Sequence, residues 1–313
     1  MHAAQLVTAL ALAGPSALRA QATECAGYAG DANRVCTAAV DATRAFHPVL
    51  GLLTSGGNPV LGTGSPLGGP GHFSGTARVN AVEVVLPGLS YDGSSATVPR
   101  GQKVFAPAPL LEGAVGLFGG LPSGLLAIDG LASAQLLPTT VFDNLRVDPD
   151  ARRIGTVALG LGVGARVGIL RTAGPLPGIS LSLMRRDLPT ITYGDIASGD
   201  EFQYAVNLHA INLRLVASKQ LALVDLAAGL GWDRYTGVAL VQVRVGAAPD
   251  VPIDLRTSRA SAFTNAGLGL GLARLVVEAG YQAGKDQKLT TDFEGIDTKQ
   301  GKFFAGVGLR MGF

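Results

Sequence analysis

Apolar side chains recur at every second position from Phe73 to the end of the chain. FSGTARVNA sets Phe73, Gly75, Ala77, Val79 and Ala81 on one side, with Ser74, Thr76, Arg78 and Asn80 on the other. TVALGLGVGARVGIL sets Val157, Leu159, Leu161, Val163, Ala165, Val167 and Ile169 against Arg166, Thr156, Ala158 and four glycines. FQYAVNLHA, VDLAAGLGWD and VALVQVRV alternate likewise. TNAGLGLGLARLVVEAGYQAG reads as two strands joined by a tight turn near Ala273 and Arg274. Side chains alternate faces along a strand, so period 2 means sheet. The segments run about 9–16 residues, and a tilted strand needs about 9–11 to cross a bilayer. They are separated by polar stretches at 139–153, 246–258 and 285–300. Together they predict an all-β, antiparallel transmembrane barrel of about twelve strands, within a range of roughly 10–14.

Ahead of the strands the pattern changes. DANRVCTAAVDATRAF, residues 31–46, reads as a short helix that Asp31 can cap, with Val35, Ala38, Ala39, Ala42 and Phe46 as its apolar stripe. Residues 51–72 are rich in Gly, Pro and Ser and read as loop or plug material. The long apolar stretch at 113–137 contains Pro122, Asp129 and several glycines, so it reads as short strands or a strand plus plug, not as a membrane helix. Residues 1–22 read as a secretory signal: an apolar run from Leu6 to Ala13, then a small-x-small site at Ala20, Gln21 and Ala22. The expected organisation is a signal at 1–22, a helix and plug segment at 23–72, and a barrel at 73–313.

A β-sandwich in water would also alternate. Its outer face would carry many charges, whereas the polar face here is mostly Gly, Ala, Ser and Asn. In lipid every backbone N–H and C=O must be paired, so strands close into a cylinder, and the last strand is expected to pair with the first. The final strand ends on Phe313, with Met311, Leu309 and Val307 at alternate positions before it. This terminus resembles the assembly signal of bacterial outer-membrane β-barrel proteins. The resemblance covers most of residues 73–313. It implies a Gram-negative outer-membrane location, outer-membrane lipid as the surroundings and the barrel-assembly machinery as a partner. The helix and the segment containing GGNPVLG also resemble the long-chain fatty-acid transporter family, whose barrels carry an N-terminal plug. No functional residue is carried over from either family.

Composition narrows the chemistry. The 313 residues carry a net charge of +2 and only 15% charged side chains, which excludes electrostatic capture of nucleic acid. Cys25 and Cys36 are the only cysteines, and in an exported chain they are expected to form a disulfide. The Gly-x-Gly spacings lie inside strands and not at a strand-to-helix turn, so they are not a nucleotide loop, and no cofactor is expected. No His/Cys cluster has metal-ligand spacing. His72 with Ser74, or His209 with Asp225, lacks the spacing of a catalytic group, so the chain is not expected to be an enzyme. Arg78, Arg166, His209, Asp225, Asp233, Arg244, Glu278 and Arg310 are the candidate lumen-lining charges. The expected function is passage of small solutes, hydrophobic ones included, through the lumen. The alternative is a structural or adhesive barrel with a sealed, ion-paired lumen, and a barrel enzyme is the third reading.

Overall fold

The computed structural model describes residues 22–121, 125–138, 144–244 and 249–313. The signal reading therefore lies outside the described residues, apart from Ala22. A 3-10 turn, Thr23–Cys25, precedes one long helix, α1 (Gly30–Ser55). The strands are β1 (Phe73–Pro87), β2 (Thr97–Val98), β3 (Arg100–Phe118), β4 (Ile128–Pro138), β5 (Leu145–Val147), β6 (Arg153–Ile154), β7 (Val157–Leu170), β8 (Gly178–Tyr193), β9 (Phe202–Leu221), β10 (Val224–Val243), β11 (Val251–Leu270), β12 (Ala273–Gln282), β13 (Asp292–Phe293) and β14 (Lys302–Gly312).

Ten of these close into an antiparallel ring: β1, β3, β4, β7, β8, β9, β10, β11, β12 and β14, then back to β1. The last strand pairs with the first as expected, with Ser74 opposite Gly312. Phe73 and Phe313 stack with ring centroids 4.9 Å apart. The expected twelve staves are ten because several are longer than a bilayer crossing requires: β9, β10 and β11 have 20 residues each. Residues 251–258, read as connector, are the first part of β11. The stretch 113–137 divides between β3 and β4, and no helix among the described residues is long and apolar enough to cross a membrane.

One end of the barrel has tight turns, at Ala222–Leu223 and Gly271–Leu272, while the other carries the longer connections. α1 begins at the loop end and descends inside the barrel, packing against β1, β3, β9, β10 and β11. It runs nine residues beyond the sequence expectation, through Pro48, because the barrel wall surrounds it and packing outweighs local propensity. Encirclement also explains why Asp41, Thr43, His47 and Thr54 are as buried as its apolar stripe. Cys25 and Cys36 form the expected disulfide, tying the 3-10 turn to the first turns of the helix.

The outer surface has two zones. From the tight turns upward the outward side chains are apolar: Val224, Leu226, Leu230 and Trp232 on β10, and Leu215, Leu213 and Ile211 on β9. Going from Val224 to Arg234 climbs about 25 Å at ~3.4 Å per residue and a tilt of about 40°, the height of a barrel's apolar band in a bilayer. Aromatic side chains rim the belt: Phe73, Phe118 and Phe313 below, Phe105, Trp232, Tyr281 and Phe303 above. Phe105 is 73% and Phe303 77% exposed, which only an apolar solvent favours. Above the belt the inward side chains become apolar, while the outer wall is mixed and still exposes Val238 and Leu240. Tyr204 and Tyr235 point inward onto α1, and Asn207, His209 and Thr236 lie outward or at the wall.

Candidate functional site

The lumen of the belt zone is filled and ion-paired. Arg78 lies 3.1 Å from Glu112 and 3.4 Å from Glu278. Arg186 reaches Glu112 at 2.9 Å, Arg214 reaches Asp233 at 2.7 Å, and Arg166 reaches Asp129 at 2.8 Å. Nearer the tight turns Asp225 is shared by Arg274 at 2.5 Å and Arg310 at 3.2 Å. Charges buried this deeply inside a barrel must be paired, because an isolated one would carry a desolvation cost of several kcal/mol.

These charges hold the end of α1. The helix stops at Gly56, whose φ of +53° suits glycine and where a Cβ would lie 2.6 Å from the Arg78 guanidinium. The backbone N–H groups of Gly57 and Asn58 donate to the two Glu278 carboxylate oxygens at 2.9 and 2.8 Å. Arg214 donates to the carbonyls of Gly56 and Gly57, Arg78 to that of Asn58, and Arg186 to that of Ser55. Asn265 accepts from the Asn58 side chain, and Arg310 donates to the Leu61 carbonyl at 2.6 Å. GGNPVLG is thus the clamped turn of an internal plug.

Six of the eight candidate charges face this lumen: Arg78, Arg166, Asp225, Asp233, Glu278 and Arg310. Two do not. His209 lies on the outer wall, where its Nδ1 is 2.6 Å from Asp187, far from the inward Asp225 it was considered with. Arg244 lies past the end of β10 at the loop end, paired with Glu201. Glu112, Asp129, Arg186 and Arg214 belong to the network but were not among the candidates. Glu112, Asp129 and Arg214 are isolated charges among small or apolar residues, a signal the sequence carried, whereas Arg186 stands between Arg185 and Asp187 and only its register shows which of the three faces inward.

A second feature has no charged residues. β3 and β4 pair only from Leu110 opposite Gln135 down to Phe118 opposite Ile128. Above that, residues 100–109 of β3 pair with β1 alone among the described residues. Pro107 and Pro109 lie in this stretch. Gln135 Nε2 donates to the Pro109 carbonyl at 2.6 Å, so Pro109 turns its hydrogen-bonding edge toward β4. Pro107 shares that edge by alternation, and both prolines lack the N–H that would close the seam. Behind the seam is an apolar cavity of about 140 Å³ between α1 and the wall. Phe46, Leu50 and Leu53 of the helix form its floor, Val84, Ala106 and Ala108 its side, and Pro107, Pro109, Leu136 and Pro138 its mouth. A dry apolar cavity of about 150 Å³ accepts a benzene-sized molecule.

No family model matches the sequence, and no curated protein matches it either. The chain is similar in fold to solved bacterial outer-membrane barrels. The translocator domain of the autotransporter NalP from Neisseria meningitidis is 13% identical, with 87% of this chain and 97% of that one covered and a TM-score of 0.42. The outer-membrane protease OmpT of Escherichia coli is 11% identical, with 78% and 97% covered and a TM-score of 0.40. The Ralstonia pickettii toluene transporter TbuX is 11% identical, with 83% and 92% covered and a TM-score of 0.27. At these identities the likeness concerns the barrel fold and assigns no activity.

Proposed function

We propose that this chain is an outer-membrane barrel, plugged by its own N-terminal segment, that takes a small apolar solute into the cavity behind the β3/β4 seam. Exchange with the membrane is lateral and needs no covalent step. One observation carries the reading: an apolar chamber meets the outer wall where two prolines leave the sheet unzipped, at the height of Phe105 and the upper rim of the belt. The plug and its ion pairs fill the axial route, so the seam is the way out. Membrane lipid surrounds the belt, and the Val307, Leu309, Met311 and Phe313 face is what the assembly machinery reads.

The test is binding of indole, an environment-sensitive fluorescent probe close to the size the cavity accepts, to refolded protein. Saturable binding is expected, and its loss in Ala106→Trp, where an indole fills the chamber. Equal binding by the two would refute the site. A second reading is favoured by the packed, ion-paired lumen: a structural or adhesive barrel that carries no solute. Wild-type protein that binds no probe would establish it over the first.

A further inference from the structure

Among the described residues every buried Arg, Asp and Glu has an ion-pair partner, with one exception. Arg259 on β11 faces into the barrel between Thr257 and Ser261, is only 6% exposed, and meets no carboxylate among the described residues. The carboxylate opposite it in the β10–β11 register is Asp233. Both oxygens of Asp233 are engaged: Oδ1 by Arg214 and Asn212, Oδ2 by Gln282. Arg259 instead reaches the start of the connection between β12 and β14, where its Nη1 donates to the Lys285 carbonyl at 3.2 Å. Its Nε is buried without an acceptor, and its Nη2 has none among the described residues either.

This guanidinium borders a small cavity of about 40 Å³. Ala45, Phe46 and Val49 of α1 line one side of it, and residues 295–298 of the connection line another. Lys302 lines it as well, across the β12–β14 ladder from Gln282, and meets no acceptor among the described residues. Asp297 also lines it but bonds to neither cation; its Oδ1 accepts from the Lys299 N–H at 2.8 Å. Two cations thus share the cavity with one carboxylate. By this measure a water needs about 10–15 Å³, so the space suits roughly three waters or one small ion. A benzene-sized ring needs about 150 Å³, so the cavity does not take the solute of the β3/β4 chamber. A buried guanidinium without a counter-charge carries a desolvation penalty, which a bound anion would offset.

We infer that this cavity holds a small inorganic anion of chloride size, bound by Arg259 Nη2 with Lys302 as the second cation. The anion supplies the counter-charge that the barrel itself withholds from Arg259. It also ties the connection between β12 and β14 to the wall. The helix holds the same connection from the other side, where Asp41 accepts from the Thr290 and Thr291 N–H groups at 2.7 and 2.9 Å. Occupancy of the site therefore steadies the segment that covers the top of the plug. The inference rests neither on the solute reading nor on the membrane reading of the belt.

The experiment is chloride NMR line broadening by the refolded full chain in an uncharged detergent, titrated with sodium chloride against sodium gluconate at constant ionic strength. Saturable broadening is expected. Arg259→Gln should weaken the binding about 10- to 100-fold, the loss of a hydrogen bond to a charged group. Ala45→Met, which fills the cavity and keeps both cations, should weaken it as well. Arg244→Gln removes an equal charge from the exposed loop end and should leave it unchanged. Trypsin cleavage after the exposed Lys288 gives a second readout: chloride should slow it in the wild type and not in Arg259→Gln. Heat-modifiable gel migration verifies that each variant is folded. Folded wild type without saturable broadening, or unchanged binding in whichever of Arg259→Gln and Ala45→Met folds, would overturn the inference. Equal weakening by Arg244→Gln would overturn it too, since the effect would then be one of overall charge.

Discussion

Replacing Glu278 with alanine removes the centre of the plug clamp. Its carboxylate accepts from the Gly57 and Asn58 N–H groups, accepts from the Asn265 side chain at 2.7 Å, and pairs with Arg78. The alanine variant leaves two buried backbone donors without partners. Arg78 keeps Glu112, so the arginine is weakened but not stranded. Hydrogen bonds to a charged group contribute roughly 1.5–3 kcal/mol each, and breaking a buried ion pair costs about 3–5 kcal/mol. These overlap, so Glu278→Ala should lose about 3–5 kcal/mol of unfolding free energy. Glu278→Gln should lose less, because its oxygen still accepts from one backbone N–H while its amide opposes the other. The assay is equilibrium urea unfolding of protein in lipid vesicles, followed by tryptophan fluorescence of Trp232. A loss below about 1 kcal/mol in Glu278→Ala, with an unchanged m-value, would show that the plug does not depend on this clamp.

Four further outcomes are expected. Wild-type protein in a planar bilayer should show no stable conductance steps, because α1 and its ion pairs fill the lumen; regular steps would contradict the plugged barrel. Restoring both seam donors in a P107T/P109T variant should slow probe entry about 30-fold, from two hydrogen bonds of about 1 kcal/mol each; an unchanged stopped-flow rate would mean that the seam is not the route. Burial lowers His47 to about 4, from 6.5. Its folded pKa lies below its unfolded one, so the neutral form is favoured on folding and stability falls as pH drops from about 6.5 toward 4, by at most about 3 kcal/mol; His47→Gln should flatten that part of the profile in urea titrations, and parallel profiles would refute the assignment. Reducing Cys25–Cys36, or replacing both residues with serine, should release the Thr23–Cys25 turn and cost about 2–3 kcal/mol for so short a loop; limited proteolysis after Tyr28 reads this directly, and equal protection of both forms would count against it.

The sequence by itself determined the barrel, its closure and its disulfide. Period-2 alternation is a local property, and in β1, β7 and β14 it places the apolar face outward without reference to any other strand. The need to pair every backbone group in lipid does the rest. What alternation does not state is which chemistry faces in at a given height. The parity of β9 is unbroken: Tyr204, Val206, Leu208, Asn212 and Arg214 all point inward. Yet the inward residues are apolar where they meet α1 and polar where they meet the clamped turn. His209 was therefore assigned to the lumen by the rule of the belt, though it stands above it, where the outer wall is mixed. The extension above the belt also sets the strand count, because staves that continue past the bilayer use more residues each. Only the tertiary structure brought Glu278, Arg214 and Arg78 onto one turn of the chain, since they come from three strands distant in sequence. Only there do Pro107 and Pro109 cease to be breaks in a strand and become the edge of an opening, because a missing donor matters only when the neighbour it would have bonded is known.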